Sequence, residues 1–370
     1  MKVMLVIGAR PQIIKSAPII HKASKDVEID LQIVHTGQHY DFEMSRIFFS
    51  ELELPDPVAN LGVGSGTHAW QTGKMMIGLE KTIKDLKPDI VLVPGDANST
   101  LAGALAAVKL HVAVAHVEAG ARSYDMGMPE EVNRRLTDHC STMLFATTEN
   151  CLNNLVKEGI PSGQIHLTGD TMYDALLQHQ MKFQRTQVLE RLGLRAGEYA
   201  VLTAHRPENV DTPETLKNIV EAMIQLSEST IVFPVHPRTI ERLRVSDLLK
   251  SLKKAEHIRL VDPIGYHEML HLVEKAKMVF TDSGGLQKEA FLLHTPCITL
   301  REKTEWVETV DLEANVLVGN SVEMVVRKAR EYLATENLKT KLKKLPNPFG
   351  DGNASTRIVN ALKDMIPVDI

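Results

Sequence analysis

The residues with the clearest capacity for chemistry fall into two groups. One is the stretch Val279-Phe280-Thr281-Asp282-Ser283-Gly284-Gly285-Leu286-Gln287-Lys288-Glu289-Ala290, a short apolar run that breaks at two glycines and restarts at helical spacing. It reads as strand, tight turn, helix. Ser283 can cap the helix, Gly284 and Gly285 admit a ligand close to bare backbone, and the first N–H groups point outward beside a partial positive charge. Such an end suits an anion, a diphosphate best, with Glu289 in reach of a neighbouring ribose. A glycine pair before a helix is also what a plain turn in a βα unit looks like. The other group is Asp96, Glu118, Glu130 and Glu131, with the cations Arg10, Lys15, Arg122 and Arg134. Carboxylates near a leaving-group site suggest proton transfer to and from a substrate carbon or hydroxyl, with neighbouring acids and burial tuning the base.

Each candidate has a plainer reading. Asp96 precedes Asn98-Ser99-Thr100 and could cap a helix over 101–110, and Glu130-Glu131 after Pro129 could only sit in a first turn that favours acids. Glu118 has the poorest structural excuse, since it ends an apolar strand just ahead of a glycine, in Glu118-Ala119-Gly120. His205 and His236 follow neighbouring strands, where they could touch phosphate or sugar. They form no HxH or HxxxH pair, so no metal is expected. Gly8-Ala9-Arg10-Pro11 lacks the glycines of a dinucleotide fingerprint and no Walker lysine follows Ser283-Gly284-Gly285, so no cofactor is expected either.

The elements that must position these groups are visible as short apolar runs at 3–7, 31–35, 90–93, 112–117, 143–146 and 165–167, then 200–203, 230–235, 258–261, 278–281, 297–300 and 315–318. Amphipathic stretches separate them, which is an α/β pattern with parallel sheets. Two sets of strands in 370 residues predict two doubly wound, Rossmann-like domains, 1–172 and 173–352, with 353–370 a helix that packs back across the junction. Polar residues follow nine of the strands, and in open α/β sheets ligands bind outside the carboxyl ends. The expectation is two such edges facing a polar cleft, the carboxylates on the first and the anion site on the second.

A net charge of −5 without a Lys/Arg stripe argues against nucleic acid. Three scattered cysteines without CxxC spacing fit a reducing compartment, where all three are expected to be buried small hydrophobes. No apolar run approaches the ~20 residues of a membrane helix, and 1–7 is too short for a signal core. A soluble, cytoplasmic protein with a small-molecule partner is expected.

With Gly8-Ala9-Arg10-Pro11, Gly95-Asp96, Glu118-Ala119-Gly120-Ala121-Arg122, His205-Arg206-Pro207-Glu208-Asn209, His236-Pro237-Arg238 and Ser283-Gly284-Gly285 in hand, the chain resembles the non-hydrolysing UDP-N-acetylglucosamine 2-epimerases over nearly its whole length. The resemblance implies a glycosyltransferase-B fold, a homodimer and no metal or nicotinamide. It also implies conversion of UDP-N-acetylglucosamine to UDP-N-acetylmannosamine by anti elimination of UDP to a 2-acetamidoglucal and its re-addition. Carried over by position, Asp96, Glu118, Glu130 and His205 match catalytic residues. Arg10, Lys15, Arg206, His236, Ser283, Gly284, Gly285 and Glu289 fall at nucleotide-sugar contacts, and Glu131, Arg122 and Arg134 are further candidate sugar contacts. Gln38 and His39 match part of a second, activating site of the bacterial enzymes, although Ser65 stands where its arginine is expected. Gly-Ala-Arg-Pro-Gln in place of Gly-Thr-Arg-Pro-Glu, and Glu305-Trp306-Val307-Glu308 in place of Glu-Arg-Pro-Glu, resemble a branch that acts on UDP-2,3-diacetamido-2,3-dideoxyglucuronate. Different reactions on the same architecture are a retaining glycosyltransferase, which needs an acceptor, and a hydrolysing epimerase. A nucleotide-sugar sensor would need none of the acids.

Overall fold

Apolar runs of four to seven residues become strands buried on both faces, the pattern of parallel sheets covered by helices. In the computed structural model, which describes residues 1–38 and 42–365, thirteen strands are seen. They are β1 (Lys2–Ile7), β2 (Asp30–His35), β3 (Ala59–Asn60), β4 (Ile90–Pro94), β5 (Ala113–Ala119), β6 (Met143–Ala146), β7 (Ile165–Leu167), β8 (Tyr199–Thr203), β9 (Thr230–Pro234), β10 (Ile258–Val261), β11 (Met278–Thr281), β12 (Cys297–Thr299) and β13 (Asn315–Leu317). They build a seven-stranded sheet in the order β3-β2-β1-β4-β5-β6-β7 and a six-stranded sheet in the order β10-β9-β8-β11-β12-β13. All their pairings are parallel. The α/β, doubly wound expectation holds for both sheets. Each sheet reverses its winding direction once, between β1 and β4 and between β8 and β11, and ligands of such folds bind at that reversal.

The chain divides into two units, Met1–Gln178 with Asn347–Ile370, and His179–Pro346. The crossing points are in the helix Thr171–Phe183 and just before Asn347. In the first unit the Asp174 carboxylate accepts from the backbone N–H of Ala354 and Ser355 and from the Ser355 hydroxyl, capping the helix Ala354–Lys363. Ile358, Val359 and Leu362 of that helix are fully buried and it packs beside the helix Arg10–Ala23. The helix expected at 353–370 is thus a part of the first unit.

Three expectations need correction. The two-residue β3 was not expected, because Ala59-Asn60 offers no apolar run. The helix expected over 101–110 starts at Asn98, and Ala97 occupies its cap, so Asp96 does not cap it. Cys151 and Cys297 are buried, but Cys140, at the end of the helix Pro129–Cys140, is only half-buried. Among the described residues no helix is long and apolar enough to cross a membrane.

Candidate active site

In the first unit the reversal point is stitched by Gln12. Its Oε1 accepts from the N–H of Gly8 (2.8 Å) and Ala9 (3.0 Å) after β1, and its Nε2 donates to the Pro94 carbonyl (3.0 Å) and Thr100 Oγ1 (2.9 Å) after β4. A carboxylate here could accept but not donate, so the amide of the Gly-Ala-Arg-Pro-Gln variant has a local reason. Arg10 opens the helix that follows and stacks over the Phe48 ring at 4.6 Å.

Glu118 occupies a bulge near the end of β5, where the register with β6 shifts between Val117 and Ala119. Its φ is +71°, the left-handed region that a glutamate rarely adopts and that clusters at functional sites. The side chain is buried and its Oε1 accepts from Lys15 Nζ at 2.6 Å. Lys15 also lies beside Gly95, where a Cβ would sit 3.4 Å from Nζ. Asp96, next in the chain, accepts from Arg134 Nη2 at 2.6 Å and is partly exposed. Lys15, Glu118, Asp96 and Arg134 therefore converge at the carboxyl ends of β4 and β5.

The helix Pro129–Cys140 supplies the support. Glu131 is fully buried and accepts from the Ser123 backbone and hydroxyl and from Arg134. Asn133 donates to the Asp96 carbonyl. Glu130 is half-buried one residue away. Arg122 is 1% exposed and lies between Asp138 and Glu158, each 2.7 Å from Nη2. Its partners are carboxylates of its own unit. Gln38 Oε1 accepts from the Ser99 N–H and hydroxyl. His39 lies outside the described residues.

The second unit repeats the device with Asp282, whose role sequence reasoning missed. Fully buried after β11, its Oδ2 accepts from the N–H of His205 and Arg206 (both 2.9 Å) and from Asn209 Nδ2 (3.1 Å), and its Oδ1 lies 3.2 Å from His205 Nδ1. Burial alone would raise its pKa, but His205 and the two amides hold it at about 2. The only local signal was an acid directly before Ser283. Asn209 also donates to the Leu300 carbonyl, tying β12 to the same point. His205 is half-exposed, with its ring centroid 6.3 Å from that of His236, which caps the helix Pro237–Val245 through Arg238 N–H. Arg238 pairs with Asp211.

Ser283 caps the helix Gly284–Leu292, accepting from Leu286 N–H at 3.4 Å, and no acid sits in the first turn. The expected room at Gly284 has an occupant inside the protein: a Cβ there would collide with Glu305 Oε1. Glu305 is buried and paired with Arg301 at 3.0 Å, and Trp306, also buried, carries Lys288 Nζ 4.0 Å above its ring. Glu289 is buried on the same helix. Among the described residues no group of three or more His, Cys, Asp or Glu is placed to hold a metal ion.

Two reversal points, one lined by paired carboxylates and cations and one by a capped helix end with a histidine, are features to set beside known proteins. The family model described as UDP-N-acetylglucosamine 2-epimerase matches residues 21–363. The chain belongs to this family. It is 47% identical over 368 residues to the UDP-N-acetylglucosamine 2-epimerase of Methanocaldococcus jannaschii, covering 98% of this chain and 99% of that one. A crystal structure of the M. jannaschii UDP-GlcNAc 2-epimerase in complex with UDP-GlcNAc and UDP matches with a TM-score of 0.91 at 47% identity, over 98% of this chain and 99% of that one. The chain is also 45% identical over 370 residues to the UDP-2,3-diacetamido-2,3-dideoxy-D-glucuronate 2-epimerase of Pseudomonas aeruginosa, again covering 98% and 99%. The two-sheet α/β architecture of this epimerase family is therefore that of the chain, and an isomerase of nucleotide sugars is its class.

Proposed function

We propose that the chain interconverts UDP-N-acetylglucosamine and UDP-N-acetylmannosamine by elimination and re-addition of UDP. In the elimination the C1–O bond breaks and its electron pair leaves with UDP, a base removes the proton from C2, and the freed pair forms the C1=C2 double bond of a 2-acetamidoglucal. In the return a proton is delivered to the other face of C2 and a UDP oxygen attacks C1. Inversion at C2 needs proton-transfer groups on both faces, which is a reason for more than one carboxylate. Glu118, with Lys15 on its Oε1, Asp96, with Arg134 on its Oδ2, and Glu130 are assigned those roles. The second unit holds the leaving group. The N–H groups opening the helix Gly284–Leu292 lie where the helix dipole offsets charge growing on a diphosphate, and His205 is oriented by Asp282. Arg10, Arg206, His236 and Glu289 complete the nucleotide-sugar contacts.

The observation that carries the choice of sugar is the fate of the cations. A uronate would bring a C6 carboxylate whose unpaired burial costs several kcal/mol. Of the four arginines that could meet it, Arg122 is held by Asp138 and Glu158, Arg134 by Asp96 and Glu131, and Arg238 by Asp211. The fourth, Arg206, is assigned above to the nucleotide-sugar contacts. The neutral C6 hydroxymethyl of N-acetylglucosamine asks for no such partner. The test is incubation with each UDP sugar in D2O, with proton NMR of C2. UDP-N-acetylglucosamine alone should gain deuterium and yield the manno epimer. A kcat/KM roughly tenfold or more in favour of the diacetamido-uronate, about 1.4 kcal/mol, reverses the choice of sugar. Exchange that requires an acceptor would instead mark a transferase.

A cytoplasmic homodimer that feeds polysaccharide synthesis is part of the same reading. Trp70 and Ile77 are exposed on the helix His68–Leu86, with Leu136 exposed on the helix Pro129–Cys140, which supports a partner surface on the first unit. Sedimentation equilibrium at micromolar concentration should give twice the chain mass.

A further inference from the structure

The mechanism leaves unexplained why Glu118 keeps a left-handed backbone. The answer lies two residues to either side of it. His116 Nδ1 sits 2.6 Å from Asp138 Oδ1, Gly120 N–H donates to Asp138 Oδ2 at 3.2 Å, and Arg122 Nη2 lies 2.7 Å from the same Oδ2. One carboxylate on the helix Pro129–Cys140 thus grips residues 116, 120 and 122 and straddles the bulge that carries Glu118. The far side of the His116 ring, Nε2, donates to the Gly95 carbonyl at 2.7 Å, the residue before Asp96. A carbonyl can only accept, so the contact with Gly95 places a proton on Nε2. His116, Asp138 and Arg122 are all buried, none more than 1% exposed. Burial pushes the Asp138 carboxyl up, but His116 and Arg122 outweigh it and hold the group below the usual carboxylate range.

We infer that Asp138 is a positioning residue for the epimerisation. It pins the strand end on both sides of Glu118 so that the residue is kept at φ +71°, and through His116 it fixes the Gly95-Asp96 turn relative to it. Strain of this kind persists only where surrounding bonds over-determine it. With the grip released, the bulge relaxes toward ordinary strand geometry and the Glu118 carboxylate leaves its place beside Lys15. The inference rests on the epimerase reading above.

The test is a cycle of Asp138→Asn and Glu118→Gln, read as kcat and KM for UDP-N-acetylglucosamine from C2 deuterium uptake, with UDP affinity by calorimetry. Asp138→Asn should lower kcat on the order of 10²-fold, the cost of misplacing a catalytic group by about an ångström. KM and UDP affinity should stay within about threefold, and in the Glu118→Gln background, where only the placement of Asp96 is left to lose, Asp138→Asn should lower the residual rate by no more than about tenfold. A purely structural role predicts the same factor in both backgrounds, or a parallel loss of UDP affinity, and either result overturns the inference. Should Asp138→Asn not fold, His116→Asn enters the same cycle, because it keeps Arg122 on Asp138 while losing the reach to Gly95. A His116→Asn enzyme with wild-type kcat overturns the inference as well. A wild type that exchanges no C2 proton overturns the epimerase reading and this inference with it, whereas an exchanging wild type with additive substitutions removes only the role of Asp138.

Discussion

Glu118 and Asp282 show what a single side chain gains from its place in the fold. Glu118→Gln keeps shape and bonding reach but cannot take a proton, so C2 exchange should fall on the order of 10² to 10⁴-fold. UDP affinity should stay within a few fold, and near wild-type turnover would remove Glu118 from the chemistry. Asp282 makes a statement about pH. Its folded pKa of about 2 lies below the ordinary 3.8, so the charged form stabilises the fold. That contribution is fully present above about pH 4 and is lost as the pH falls through about 2, amounting to about 2 kcal/mol. Asparagine cannot titrate. The stability gap between wild type and Asp282→Asn in urea unfolding should therefore be constant above about pH 4 and shrink below it, and a gap that ignores pH would contradict the assignment. Glu118 was legible in the sequence because an acid ending an apolar strand has no structural reason to be there. Asp282 and Asp138 were not, since their partners stand 77 and 22 residues away and nothing local distinguishes an acid that organises a turn from one that faces water.

At the scale of elements, parallel strands announce themselves because both faces are buried and the apolar run is unbroken. The capped helix after β11 was legible too, from Ser283 and its glycines. Its packing was not. Gly284 was singled out as room for a ligand, yet the nearest atom to its missing side chain is Glu305 Oε1, from a segment 21 residues downstream (305 less 284) that looked like a mere sequence variant. Ser283→Ala should cost about 0.5 to 1 kcal/mol of stability and weaken UDP binding. Gly284→Ala should cost more in thermal midpoint, because Glu305 must move off Arg301 or the turn must shift. Combining it with Glu305→Ala should cost less than the two losses added, since one clash is then removed, and strict additivity in differential scanning calorimetry would place the strain elsewhere.

For the whole molecule, the second unit is one unbroken stretch, His179–Pro346, while the first is made of two pieces. The isolated 179–346 fragment should fold with its own six-stranded sheet and bind UDP in calorimetry without exchanging any C2 proton. A chain ending at 346 should lose cooperative unfolding of the first unit, because Asp174 and the groove that receives Ile358, Val359 and Leu362 are left bare.

The two-piece first unit also fixes a timetable. On the ribosome, residues 1–178 emerge before the second unit and yet cannot finish, because their closing helix is translated only after it. The second unit, made later, has every residue it needs while its elder neighbour is still waiting. Glu118 and Asp96 therefore reach their completed surroundings only after the helix Ala354–Lys363 has emerged, and a chain released before that point should bind UDP, if the proposed assignment holds, without exchanging a C2 proton.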